Sequence, residues 1–308
     1  MSRRAAQSGF ALLVALVLVV LAGVALAALA RRSAAEALES QTALEDLQRR
    51  WAVTSCRAAL LGRAEELLDM AERGQESDGG PPHAYRRPPM PEWCIACRLA
   101  GADYELVLTD EQAKLNLNRH LAQTSRAEAA SAAARLTAAS RELFEQPVAI
   151  NLKTLVRKGP SVGGNTTLSA VGGYGQVFGP VPPELLVGRE QAPGLAGAIT
   201  CWGDGRVNLR RAPDAVVRQA CDRALGRDVV GMLLAARRRD PYRALSAMLA
   251  ELDEIAEAQR TDVLACLTDR SQCHGLWVIA RGPRRSCYTL AVQVTGDLGV
   301  SRRHEFEW

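Results

Sequence analysis

The chain has 308 residues, 48% of them apolar, and 38 Lys and Arg oppose 34 Asp and Glu for a formal net charge of +4. That length admits one large domain or two ordinary ones. With only 5% aromatic residues and an apolar fraction made largely of Ala and Leu, helix is favoured over a purely β architecture. The basic excess is Arg spread along the chain rather than gathered with aromatics into a patch, so nucleic-acid binding is not expected. Arg210-Arg211, Arg284-Arg285 and the run from Arg237 to Arg239 read as solvated helix or turn faces.

From residue 10 to residue 30 there are 21 consecutive positions without a charge, nearly all Leu, Val or Ala. As a helix this stretch is about 31 Å long, enough to cross the hydrocarbon core of a bilayer. A short polar leader containing Arg3 and Arg4 precedes it and ends in Gly9. Three readings fit. A secretory signal would be cut at its far end, where Ala25-Leu26-Ala27 or Ala28-Leu29-Ala30 offers small residues. An uncleaved anchor needs only the apolar run and a basic flank, although Arg31 and Arg32 beyond the run leave the orientation weakly set. A prepilin leader would be cut between Gly9 and Phe10, leaving the helix on the mature chain. The small residue before the cut lets a peptidase approach the backbone.

The segment C-terminal to the apolar run favours the third reading. Residues 33–73 contain no Pro and only Gly62 before the end, and Leu38, Leu44, Leu47, Trp51, Leu60, Leu61, Leu67 and Leu68 recur largely at spacings of three or four. That is an amphipathic helix continuing the anchor. The joined helix is on the order of 95 Å long, and a secreted enzyme has little use for such a stalk.

Beyond it, 74–91 is rich in Gly, Pro and charge and reads as a loop. A strand at 104–108 runs into Thr109-Asp110-Glu111-Gln112-Ala113-Lys114-Leu115-Asn116-Leu117-Asn118. Helix is expected over 125–144, a glycine-rich surface loop over 159–179, and a second helical block over 214–267. Residues 276–280 and 287–294 read as a hairpin, with 302–308 as a short edge strand. This order predicts an α+β fold with a large helical insertion. Lys114-Leu115-Asn116-Leu117-Asn118 and Arg206-Val207-Asn208-Leu209-Arg210 share one pattern, with Asn placed to cap backbone N–H groups where strand meets helix.

All eight cysteines lie C-terminal to the apolar run, so export would put them in oxidising surroundings where disulfides form. Proximity along the chain suggests Cys201 with Cys221 and Cys266 with Cys273. Cys94-Ile95-Ala96-Cys97 has the spacing of half a zinc site or of a redox dithiol, but the chain has no second pair of matching spacing. The four histidines lie in separate segments, and neither a nucleophile elbow, a phosphate loop nor a His-Glu-x-x-His zinc motif is present. No catalytic site is therefore expected. Asp110 and Glu111 are adjacent, so on a strand they would face opposite sides.

Four features together resemble the minor pseudopilin K of the type II secretion system, the GspK family. They are the Gly9-Phe10 junction; the 109–118 stretch with Asp110, Glu111, Lys114, Asn116 and Asn118; the Gly205-Arg206-Val207-Asn208-Leu209 stretch with Ala212-Pro213 after it; and the closing hairpin. The resemblance implies a leader at 1–9, a transmembrane helix at 10–30 and an amphipathic extension at 31–73. It further implies a pilin-like αβ domain with an antiparallel sheet, 74–118 and 275–308, interrupted by a helical domain at 119–274. Cleavage by a prepilin peptidase is implied, as is a single pass through the inner membrane with the N-terminus cytoplasmic and the bulk periplasmic. So is a place at the tip of the periplasmic pseudopilus beside minor pseudopilins of the I and J types. Calcium is the one ligand suggested, with Asp110 and Glu111 as candidates, although no regular ligand loop is present; no other cofactor is expected.

Most pilin-like subunits resemble one another in carrying Glu at the fifth mature position, where it neutralises the N-terminal ammonium of the subunit ahead. Counted from Phe10, that residue here is Val14. A buried charge without its partner is costly, so an apolar residue suits a subunit with nothing ahead of it. The family's second motif usually reads Asn-x-Asn-Thr-Ala-Pro, whereas this chain has Asn208-Leu209-Arg210-Arg211-Ala212-Pro213. The alternative is an exported or membrane-anchored protein with an ordinary signal, carrying a binding module or a hydrolase.

Overall fold

The computed structural model describes residues 3–76, 92–99, 102–122, 172–189, 192–252, 255–281, 286–296 and 301–308. The helix expected over 125–144, most of the 74–91 loop, the first part of the glycine-rich loop and the turn bearing Arg284 and Arg285 lie outside the described residues. The chain divides into two compact units, Met1–Thr54 and Ser55–Trp308.

The first unit is helical, formed by most of α1 (Arg3–Leu60). Its most apolar window has a mean hydropathy of 3.1, so by length and composition it could cross a membrane. Leu13, Leu16, Val17, Val20, Leu21 and Val24 are exposed on all sides of it. A helix that is apolar all round is at home only in lipid or among other apolar helices. Further along, Leu38, Leu44, Leu47 and Trp51 are exposed as well.

In the second unit the helix does not run unbroken to residue 73 as expected. A 3-10 turn, Leu61–Arg63, interrupts it before α2 (Ala64–Glu76). Gly62, the weakest helix former nearby, lies in that turn, which carries Leu61 into the core while Leu68 is buried one turn into α2. The helix also continues past Gly74 to Glu76.

The sheet has five antiparallel strands, β1 (Glu92–Leu99), β2 (Ala102–Asp110), β3 (Cys273–Arg281), β4 (Ser286–Thr295) and β5 (Ser301–Glu307), side by side in that order. Long N-terminal helix plus antiparallel sheet is the expected α+β arrangement. The hairpin is β3 and β4, and β5 is an edge strand. β1 is not among the elements expected from the sequence. Alternation sends Val107, Trp277 and Ile279 to one face and Leu106, Leu108, Leu276 and Val278 to the other, and all seven are buried. The first face shares a continuous core with the insertion, while α2 packs against β1 and β2. Each such side chain contributes roughly 1.5–3 kcal/mol by leaving water.

Neighbouring strands β2 and β3 are far apart in sequence. The chain leaves the sheet after Asp110 and returns at Cys273, in a register that sets Asp110 opposite His274. The excursion thus begins and ends slightly earlier than the expected 119–274. Within it lie α3 (Leu117–Ala122), α4 (Tyr174–Phe178), α5 (Pro183–Val187), α6 (Asp214–Leu225), α7 (Arg227–Arg239), α8 (Leu245–Glu251) and α9 (Glu257–Cys266). Two short parallel pairings tie it down: Leu115-Asn116 beside Ile199-Thr200, and Val207-Asn208 beside Leu267-Thr268.

Candidate functional site

The two motif stretches meet where the chain leaves the sheet. Asp110 ends β2 and caps the adjoining 3-10 turn, its Oδ1 accepting from the backbone N–H of Gln112 at 2.9 Å and Ala113 at 3.1 Å. The same oxygen accepts from Ser271 Oγ at 2.6 Å, and Oδ2 accepts from Asn208 Nδ2 at 2.8 Å. One buried carboxylate therefore holds the start of the insertion, its middle and its return. Asn208 Oδ1 accepts from the Arg210 N–H at 3.0 Å, and Asn116 Oδ1 accepts from the Arg119 N–H at 3.0 Å. Asn116 Nδ2 donates to Trp202 O at 2.7 Å and Asn118 Nδ2 to Cys201 O at 2.6 Å. The adjacent loop turns through Gly203 and Gly205, both at positive φ, and a Cβ on Gly205 would come within 2.8 Å of Arg119. Pro213 precedes α6, its carbonyl accepting from the Val217 N–H at 3.1 Å.

Glu111 turns the other way. Its Oε1 accepts from Lys114 Nζ at 2.5 Å and Thr109 Oγ1 at 2.8 Å, and its Oε2 from Thr200 Oγ1 at 2.6 Å. Both partners of the Lys114–Glu111 pair are essentially out of solvent. A side chain on Gly275 would strike Glu111 Oε1 at 2.5 Å, so only glycine leaves room for this carboxylate. Asp110 and Glu111 are thus filled by the chain's own donors and do not converge on a common point. The pair does not fit a calcium cage, and among the described residues no group of three or more His, Cys, Asp or Glu could hold a metal.

The largest correction concerns Arg210 and Arg211. Arg211 is completely buried and fans its guanidinium over four carboxylates. Nε donates to Glu72 at 2.6 Å, Nη2 to Asp69 at 2.6 Å, and Nη1 to Glu65 at 2.5 Å and Asp110 at 3.3 Å. Arg210 pairs with Asp69 at 2.8 Å and with Glu72, and lies over the Tyr242 ring at 5.0 Å. Arg237 is buried too, donating to the carbonyls of Leu209 at 2.8 Å and Ala212 at 2.5 Å and pairing with Asp214; its neighbour Arg238 is exposed. Arg210 and Arg211 thus fasten α2 to the junction. Glu65, Asp69 and Glu72 repeat every three or four positions along one helix face. That signal is present in the sequence, without any indication of its distant partner.

Burial pushes Glu65 up, but the bond with His274, 3.0 Å away, and the charge of Arg211 outweigh it and bring the carboxyl from its ordinary 4.5 down to about 2. Burial wins at Glu72, which is raised despite Arg211 and Arg210. A depressed carboxyl stabilises the fold above its unfolded value, and that contribution is lost as pH falls through the folded one. The stability difference between wild type and Glu65→Gln should hold steady above about pH 5 and shrink towards zero near pH 2, as read from denaturation midpoints against pH. A difference independent of pH would contradict this assignment.

The cysteines among the described residues are free thiols, and the expected pairings are not the ones the fold brings together. Cys94 and Cys97 are an odd number of residues apart on β1, so they face opposite sides of the sheet; they form neither a bridge nor half a zinc site. Cys201 and Cys273 both lie near Tyr174 and Glu111, whereas Cys221 neighbours Cys266. Gly9 and Phe10 lie within α1, and Phe10 and Val14 are exposed there.

No family model matches the chain, and no curated protein matches it. Among solved structures it is similar to a chain in the GspK-GspI-GspJ complex from the type 2 secretion system of enterotoxigenic Escherichia coli. The identity is 16% and the TM-score 0.45, over 88% of this chain and 99% of that one. A likeness at this level is one of outline only.

Proposed function

We propose that the chain is a minor pseudopilin of a type II secretion system, a structural subunit rather than a catalyst. In this reading a prepilin peptidase cuts between Gly9 and Phe10, and the apolar helix stays attached and packs among sister helices in the inner membrane. The second unit stands in the periplasm at the tip of the pseudopilus, beside minor pseudopilins of the I and J types. The observation that carries the reading is the charge-free segment directly after Gly9, continuous in one helix to Leu60 and exposing apolar side chains on every face. A signal cut near Ala27 or Ala30 would discard that surface. The four sequence features resembling the GspK family support the same conclusion, and two of them build the buried junction.

Val14 supplies the test of tip placement. A glutamate there would seek an ammonium from a subunit ahead, and unpaired in an apolar setting it is costly. Val14→Glu should leave membrane insertion intact yet sharply reduce co-purification with the I and J subunits and secretion of a reporter substrate. Undiminished co-purification and secretion would count against the tip position.

A further inference from the structure

The apolar run of α1 ends at Ala30, and Arg31 and Arg32 follow it directly, both exposed. As a helix, residues 10–30 are about 31 Å long, the thickness of a bilayer's hydrocarbon layer. The two guanidinium groups therefore come level with the lipid phosphates when that run is immersed. Helical side chains lean towards the N-terminus, which lays both stems back along the run rather than out into water. Arg32 Nε pairs with Glu36 Oε1 at 2.9 Å. Arg31 has alanine at every position one turn away, Ala27 and Ala28 before it and Ala34 and Ala35 after it. No acid one turn away on its own helix answers it, and no bulky side chain there screens it from a headgroup.

We propose that Arg31 and Arg32 bind the phosphate of an anionic phospholipid at the periplasmic surface of the inner membrane. This rests on the proposed topology, with residues 10–30 across the bilayer. In that topology the pair stands on the side where positive charge is disfavoured during insertion. A cut after Gly9 removes Arg3 and Arg4, so the mature chain keeps no Arg or Lys at its cytoplasmic end to balance the pair. An anionic headgroup supplies the counter-charge instead. Arginine suits this task better than lysine, since its planar fork meets two phosphate oxygens at once. Glu36 and Glu39 lie further along the helix, away from the apolar run, so their charge falls on the aqueous side of the phosphates. A lipid held in this way sets the depth at which α1 sits.

The test uses the full chain in nanodiscs of phosphatidylglycerol and phosphatidylethanolamine in equal parts, with the lipids that stay on the chain counted by native mass spectrometry. The wild-type chain should retain phosphatidylglycerol several-fold over phosphatidylethanolamine, and that ratio should fall as salt is raised before release. The double variant Arg31→Gln with Arg32→Gln should insert as well as wild type, since both positions are exposed and Gln is a comparable helix former. It should nevertheless retain the two lipids equally, and Arg31→Lys with Arg32→Lys should fall in between. An inserted wild-type chain without preference, or a preference that survives the double Gln variant, would overturn the proposal while leaving the anchor intact. So would equal capture of inorganic phosphate by the chain in neutral detergent, which would make the pair a site for free anions. A wild-type chain that stays out of the nanodisc would instead refute the topology on which the proposal stands.

Discussion

Replacing Arg211 by Met should lower the unfolding free energy of the full chain by about 3–5 kcal/mol. Arg211 is fully buried, and its side chain contacts Glu65, Asp69, Glu72 and Asp110. Removing the cation leaves carboxylates crowded against each other where water cannot screen them, and Asp110 and Glu72 are themselves almost wholly buried. Arg211→Lys should recover only a minor part, because an ammonium on a flexible stem cannot reproduce a planar fork that serves four partners. Denaturant unfolding in detergent, monitored through the buried Trp277, measures both variants. An unchanged midpoint in Arg211→Met would show that the cluster does not hold α2 in place.

Glu111→Gln should cost a similar amount, about 3–5 kcal/mol. The amide can still accept from Thr200, but it cannot neutralise Lys114, whose ammonium is 2.5 Å away and sealed from solvent. The buried positive charge is the source of the penalty, so the double variant Glu111→Gln with Lys114→Met should be more stable than the single one. That sign is opposite to additivity and is what a double-mutant cycle isolates. Should the second substitution deepen the loss instead, packing rather than charge would dominate at this pair.

The strands at 276–280 and 287–294 are legible in the sequence because alternation and a Gly-Pro turn are local signals, and the structure extends them by only a few residues. The helical block of 214–267 is legible for the same reason. β1 is not, because Trp93-Cys94-Ile95-Ala96-Cys97 mixes apolar residues on both faces and comes after a Pro-rich stretch. The junction is half legible. Asp110, Asn116 and Asn208 stand out as a repeated pattern suited to capping, and their side chains bond to the backbone accordingly. Arg211 reads as a solvated residue because nothing near it in sequence reveals the three acids of α2. The same dependence on long-range proximity explains the cysteines, where chain distance favours near neighbours although the fold sets Cys221 beside Cys266.

The proposed role depends on the apolar helix remaining part of the finished molecule. Intact-mass and N-terminal peptide analysis of the protein isolated from cells that contain a prepilin peptidase tests this most directly. The account predicts a mature chain that begins at Phe10 and retains residues 10–30. A chain beginning near Ala28 or Arg31, with that segment gone, would contradict it.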